Sequence, residues 1–255
     1  MLPLSSGKLE AGYQGRYEQS GRNYEVENFV NQRWDLMEEF TNQADYSRWI
    51  QAVYTTWSGD VLGFDYKLGL RGEYTDRLLE QKALDKKYRI DRFDIFPSAH
   101  VSKSFSRGKQ AFMSYSRRIN RPRSWFIDPF ESYSDQYTVR VGNPALQPEY
   151  TDSWEAGYKT TFGKTFASLE GYYRKTHDQI SHIMQLGEND QMIQTFENLN
   201  SETSLGMELM VNSSLAKWWN VNVSGNLYRY NVQANVRGEE IDRNSNNWGT
   251  RMNST

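Results

Sequence analysis

The chain has 255 residues, a mass of 29.9 kDa and a formal net charge of −2, with 30 Lys and Arg against 32 Asp and Glu. That balance provides no basic field to hold nucleic acid. The absence of Cys excludes disulfides, zinc–thiolate sites, CxxC redox centres and cysteine nucleophiles. No apolar run approaches the ~18 residues of a membrane helix, yet 15% of residues are aromatic, which argues against disorder. A polar, aromatic-rich chain suits long strands with one wet face, as in a transmembrane β-barrel or a carbohydrate-binding β-sandwich.

Period-two alternation predicts ten strands in chain order: about 8–19, 46–57, 61–75, 91–105, 109–119, 149–161, 165–179, 193–212, 217–231, and one beginning at 246. In the first, Leu9, Ala11, Tyr13 and Tyr17 oppose Lys8, Glu10, Gln14, Arg16 and Glu18. In the third, Phe64, Tyr66, Leu68, Leu70 and Tyr74 oppose Asp65, Lys67, Gly69, Arg71 and Glu73. Leu205, Met207, Leu209 and Val211 likewise oppose Ser204, Gly206, Glu208 and Asn212; Val221, Val223 and Leu227 oppose Asn220, Asn222, Ser224 and Asn226. These runs match the ~9–11 residues of a membrane-spanning strand better than the ~5–6 of a soluble one.

Short turns are expected at 58–60, 106–109, 162–164 and near Ser213-Ser214, and long loops at 20–45, 76–90, 120–148, 180–192 and 232–245. Strict alternation of short and long connections fits an up-and-down meander, not a Greek key. Outer-membrane barrels place short turns in the periplasm and long loops outside, so 106–109 is expected inside and 120–148 outside. Trp49, Tyr54, Trp57, Tyr74, Tyr115, Trp154, Tyr158, Tyr173, Trp218 and Trp219 crowd the strand ends and read as interfacial girdles. Asn143-Pro144 and Gln147-Pro148 interrupt any ladder and release the chain into the strand at Glu149. Met1–Ser5 carries no secretory signal and Trp248 to Thr255 reads as an opening strand, so the chain is expected to be an internal piece of a longer protein.

The stretch FDIFPSAHVSKSFSRGKQAFMSYSRRINRP, followed by GNPALQPE, ASLEGYYRKTHDQI, NLNSETSLGMEL and KWWNVNVSGNLY, resembles the barrel domain of TonB-dependent outer-membrane receptors. In particular it resembles the outer-membrane β-barrel family of Bacteroidetes-type bacteria. The resemblance covers about residues 8–255 and is specific for the family, silent on the substrate. It implies a mainly β fold: a partial antiparallel up-and-down transmembrane β-barrel, about ten strands of a barrel of about 22. Residues 1–255 would form a fragment of one barrel domain, with the plug domain and barrel ends absent. It also implies bacterial outer-membrane localisation as a multi-pass barrel. The function would be TonB-dependent import through a plugged barrel, with the protein's own plug and, through it, the TonB complex as partners. Siderophores, oligosaccharides, peptides and cobalamin-like molecules all remain open as ligand, and a surface lipoprotein partner is left open.

No catalytic constellation is present, and no enzyme activity, cofactor or metal site is expected. His177 and His182 fall on opposite faces of one strand, with His100 elsewhere, and no HExxH or nucleophile elbow occurs. Asp65, Lys67, Arg71, Glu73, Glu155, Lys159, Glu170, Arg174 and Glu208 fall on the face expected to line the lumen. Arg117, Arg118, Arg121 and Arg123 form the one dense basic cluster; they are expected to pair with loop acids such as Asp128, Glu131 and Asp135, or to meet lipopolysaccharide phosphate. Lipid and lipopolysaccharide are the surrounding partners. Arg121, Arg123, Trp125, Phe126, Tyr133 and Tyr137 are the candidate ligand-binding residues, on an extracellular loop. The competing readings are a secreted carbohydrate-binding β-sandwich and a complete small barrel acting as an outer-membrane enzyme.

Overall fold

The structure is a computed structural model that describes residues 2–4, 7–106, 108–135, 137–187, 190–236 and 239–255. Arg107 of the turn expected at 106–109, and Gln136, residues 188–189 and residues 237–238 of three expected loops, lie outside the described residues. The strands begin with β1 (Leu2–Leu4), β2 (Gly7–Tyr24), β3 (Glu27–Val30), β4 (Arg33–Leu36), β5 (Asn42–Val61) and β6 (Phe64–Gln81). They continue with β7 (Lys86–Ser106), β8 (Lys109–Asn120), β9 (Ser132–Asp135), β10 (Thr138–Arg140) and β11 (Glu149–Phe162). The last are β12 (Thr165–Leu186), β13 (Met192–Ala216), β14 (Trp219–Val236) and β15 (Glu239–Ser254).

Thirteen of these strands form one sheet, in which β2, β5, β6, β7, β8, β11, β12, β13, β14 and β15 follow one another as an antiparallel meander. The β3–β4 hairpin stands apart. The sheet is open among the described residues: no pairing joins β15 back to β1 or β2. This is the expected partial up-and-down barrel wall. It overturns the sandwich reading, which needs two sheets packed face to face. The ten expected strands are the ten long strands found.

Register fixes the faces, because residues paired across an antiparallel ladder point the same way. Leu68 pairs with Trp57 and Ala99, while Lys67 pairs with Ser58 and His100. Following the ladder places Leu9, Tyr13, Val53, Leu70, Ile95, Met113, Leu169, Leu205, Leu209, Val223 and Trp248 on one face. This outer face leaves its apolar side chains exposed: Tyr13 is 66% accessible, Val53 61% and Met113 68%. The charged residues expected in the lumen all lie on the opposite, inner face.

Aromatic side chains bound the outer apolar band. Tyr17 and Trp49 pack at 4.6 Å between centroids at one end, and Trp57 and Tyr66 at 5.2 Å at the other. Trp49 through Trp57 is nine residues, as is Tyr66 through Tyr74, the length that a tilted strand of about 9–11 residues needs to cross a hydrocarbon core. Tyr115, Trp154 and Tyr173 continue the ring across three adjacent strands, 5.3 and 5.6 Å apart. Tyr54 departs from this girdle: it pairs with Gly12 and Arg71 on the inner face, where Arg71 lies 5.8 Å from its ring.

The connections differ from the expected alternation. One end does carry tight turns, two at the expected 106–109 and 162–164 and two displaced by a few residues. Leu62-Gly63, both at positive φ (53° and 75°), close β5–β6 as a primed two-residue turn, in place of 58–60. Residues 163–164 and 217–218 close two more hairpins, the latter in place of Ser213-Ser214. At the far end, 76–90 and 180–192 are mostly strand: β6 runs to Gln81 and β7 begins at Lys86; β12 runs to Leu186 and β13 begins at Met192. The described part of 232–245 is strand as well, with β15 starting at Glu239 instead of 246. Segment 20–45 contains the β3–β4 hairpin, and among the described residues 121–148 is the one long excursion from the meander, with β9 and β10 within it. The reason lies past Trp49 and Tyr74. There the outer face becomes charged, carrying the pairs Arg89–Asp76 (2.8 Å), Lys87–Glu80 (2.6 Å) and Lys82–Asp45 (3.3 Å). Alternation of apolar and polar residues fades, although the ladder continues.

In this extension the apolar face switches sides. Ala44, Tyr46 and Leu79 point inward and are at most 3% exposed. With Ile127, Leu146 and Phe196 they form the buried cluster, joined by Tyr88, Trp125, Phe126 and Ile180. Segment 121–148 is thus folded against the inner wall instead of projecting from the sheet.

Candidate functional site on the inner wall and its covering segment

Segment 121–148 leaves β8 and returns into β11. Its first turn is a 3-10 helix over Ser124–Phe126. Phe126 stacks on Phe196 at 4.1 Å, and Trp125 sets its edge against Phe126 at 4.3 Å and Phe196 at 5.2 Å. The short strand β10 then adds in parallel to the far end of β13, Thr138–Arg140 pairing with Met192–Gln194. That edge is free because the β13–β14 ladder begins only at Ser201. Buried Asp128 joins the segment to the opposite wall: it accepts from Asn42 Nδ2 at 3.2 Å and lies 3.7 Å from Arg22. Tyr24 donates to the Tyr133 carbonyl at 3.1 Å.

The return is built by the Asn-Pro and Gln-Pro pairs. Asn143 donates to the Phe196 carbonyl at 3.0 Å, and its own Oδ1 accepts from Ala145 N–H at 3.0 Å. Gln147 N–H donates to Asn198 Oδ1, and Asn198 Nδ2 donates back to the Gln147 carbonyl, both at 2.9 Å. Leu146, between them, is 1% exposed. The descent from segment to wall at Glu149 is therefore as the prolines led us to expect. Gly142 allows the close crossing, since a Cβ there would lie 2.4 Å from the Asp128 carbonyl oxygen.

Beneath the segment the inner wall carries an arginine–carboxylate network. Arg48 meets Glu18 at 2.5 Å; Arg71 meets Glu73 at 2.6 Å and donates to Gln14 at 2.9 Å. Arg92 donates to Asp94 at 3.1 Å, and Tyr150 donates to the same carboxylate at 2.6 Å. Arg121 reaches down from the segment to Glu73 at 2.6 Å, Thr75 at 3.1 Å and Asp94 at 3.7 Å. Glu73 and Asp94 are buried and each is paired with guanidinium groups, as buried carboxylates require. Arg121 therefore pairs with wall acids on β6 and β7, not with the loop acids that sequence proximity suggested. Arg117 lies 3.9 Å from Asp152.

The six candidate ligand residues divide. Arg121 is held in the network, and Trp125 and Phe126 are turned into the segment's own core. Arg140 adds its guanidinium 5.6 Å over the Trp125 ring. Tyr133 packs edge-on against Phe40 at 5.3 Å; burial, and then Glu131 beside it, push its phenol above its ordinary value. Arg123 and Tyr137 are exposed, Tyr137 at 64%. His177 and His182 do point to opposite faces: His177 lies 3.7 Å from Asp152, and His182 packs on Phe196 at 5.2 Å. Among the described residues no three His, Asp or Glu side chains gather into a metal-ligating set. The wall network was not foreseen as a unit. Of its acids only Glu73 was expected on the lumenal face; Asp94 was not singled out, and Arg48, Arg77 and Arg92 carry no spacing signal.

Solved structures share this architecture at low identity. The chain is similar to the copper transporter OprC, with a TM-score of 0.66 and 13% identity over 92% of this chain and 39% of that one. It is similar to the Serratia marcescens hemophore receptor HasR, with a TM-score of 0.61 and 10% identity over 94% and 51%. It is also similar to the Pseudomonas aeruginosa siderophore receptor PirA, with a TM-score of 0.52 and 13% identity over 98% and 60%. The chain thus spans between about two fifths and three fifths of the length of these structures. At such identity the likeness shows the fold. No curated protein sequence matches the chain. The profile described as "Outer membrane protein beta-barrel family" matches residues 1–255, in agreement with the open meander, the outer apolar band and its aromatic borders. The chain belongs to the outer membrane β-barrel protein family and resides in the bacterial outer membrane.

Proposed function

We propose that the chain is part of the wall of a TonB-dependent receptor that imports a solute through a plugged barrel, without catalysis of its own. The observation that carries this reading is the inner face. A simple pore needs a solvated lumen, whereas here one long segment is folded across a charged inner wall and fastened at both flanks. Such a wall suits a barrel whose interior is occupied and gated. The siderophore and hemophore receptors and the copper transporter that share the fold support the transport class. In this reading the plug and the TonB complex are partners of the whole protein. Segment 121–148 faces the cell exterior, and its exposed Arg123 and Tyr137 meet the ligand, while Arg121, Trp125, Phe126 and Tyr133 hold the segment in place. Arg89, Lys87 and Arg117, beyond the aromatic belt, face lipopolysaccharide phosphates.

Deleting the gene and screening uptake of ferric siderophores, heme, copper, cobalamin and oligosaccharides tests the reading. One class is expected to lose uptake on deletion, and in the wild type on collapse of the proton gradient by a protonophore. Uptake that depends on the protein but not on the gradient would reject the energised mechanism.

A further inference from the structure

Among the described residues, one buried cation on the inner wall makes no ion pair. Arg77 on β6 is 6% exposed. Its Nη2 lies 3.5 Å from the Pro144 carbonyl, and its Nε has no partner. Arg48, Arg92 and Arg121 each hold a carboxylate, yet the Nε atoms of Arg48 and Arg121 are also buried without a partner. All four arginines line one cavity of about 20 Å³, roofed by Pro122, Leu146 and Pro148 of the covering segment. The acids facing the four are Glu18, Glu73 and Asp94, and Glu73 is shared with Arg71. Positive charge is in excess. Arginine does not relieve such an excess by losing its proton, and a buried charge requires a partner. Among the described residues Asp94 Oδ2 is the one buried acceptor there without a hydrogen bond, and it lies 3.7 Å from Arg121.

We propose that this cavity is an anion site in which Arg77 holds one small monovalent anion, a carboxylate or a halide. At about 20 Å³ the cavity has room for one occupant little larger than a water, such as a halide or a single carboxylate oxygen. Because its floor is the wall and its roof is segment 121–148, the anion fastens one to the other. The occupant is either a free solute ion or a carboxylate of the same protein from outside these 255 residues. The site is independent of what the protein transports.

The test uses the complete gene product purified in detergent. Crystals soaked in sodium bromide are expected to show an anomalous peak within about 3.5 Å of the Arg77 guanidinium. In solution, sodium formate or chloride should slow trypsin cleavage after Arg123 several-fold relative to gluconate at the same ionic strength. Arg77→Met should abolish that difference. Density for a protein carboxylate at Arg77, with no anion dependence, supports the site and names the polypeptide as the source. Water alone at Arg77, without bromide and without any anion dependence, overturns the proposal, and the wild-type crystal decides this even if Arg77→Met fails to fold.

Discussion

Leu68 and Lys67 are neighbours on β6 with opposite fates. Leu68 lies between Trp57 and Ala99 on the outer face, 41% exposed and within the band bordered by Tyr66 and Tyr74. Lys67 lies between Ser58 and His100 on the inner face. A cationic side chain on the lipid face of a barrel costs about 2–4 kcal/mol at mid-membrane and less toward the interfaces, so Leu68, beside the Trp57–Tyr66 border, carries a cost below that range, against almost nothing in the lumen. Leu68→Arg is therefore expected to lower the folded yield in the outer membrane, or the denaturant midpoint, while Lys67→Gln leaves both near wild type. A silent Leu68→Arg beside a severe Lys67→Gln would shift the register by one residue. Gly142 tests the covering segment at the same scale. Its missing Cβ would meet only backbone, Asp128 O at 2.4 Å, Asp128 N at 2.7 Å and Phe126 O at 2.8 Å, none of which can rotate away. Gly142→Ala should displace 121–148 and raise trypsin cleavage after Arg123 without lowering the amount of folded barrel; unchanged cleavage would mean the crossing tolerates a methyl group.

At the scale of elements, the covering segment is held by apolar burial more than by its sequence-local contacts. Leu146 and Ile127 are at most 1% exposed against Tyr46, Leu79 and Phe196. Truncating such a side chain typically costs about 2–5 kcal/mol. Leu146→Ala should consequently loosen the segment, seen as faster tryptic nicking after Arg123 and faster amide exchange of β10, while the ladder of β5 to β7 keeps its protection. Equal loss of protection in both would show that segment and wall unfold together. The strands inside the band were legible because one face is apolar and the other polar, so Phe64 to Tyr74 alternates, with Gly72 alone interrupting the apolar row. Their extensions were not. From Asp76 to Lys87 the outer face is charged and the inner face meets a distant segment, so Leu79 and Tyr88 have no local pattern to announce them. The same holds for Phe196, whose partners Phe126 and Trp125 lie some seventy residues earlier. The prolines of 143–148 were legible because backbone chemistry alone dictates them.

The whole sheet is an open wall, and that has a physical consequence. β15 and the β1–β2 end each present unpaired N–H and C=O groups, which hydrocarbon does not tolerate and water leaves open to strand addition. Residues 1–255 alone are expected to aggregate or to remain bound to detergent; a well-dispersed spectrum from a soluble monomer would contradict this. The orientation of the wall follows from the contrast between its ends. One end is closed by turns as short as Leu62-Gly63 and 163–164, while the other carries strand extensions, the β3–β4 hairpin and segment 121–148. A chain that inserts from the periplasm must carry its large, polar end across the membrane once, and the short turns stay on the side of entry. Epitopes placed after Ser132 and after Lys164 of the complete protein separate the two ends, because β9 opens at Ser132 on the far side and Lys164 sits in a tight turn. Ser132 is half-buried, so a flexible linker is needed to free the tag from the wall. Antibody applied to intact cells should label the first and not the second, and both should label after the outer membrane is permeabilised. Labelling of the second alone would invert the molecule and place segment 121–148, with its arginine network, on the periplasmic side.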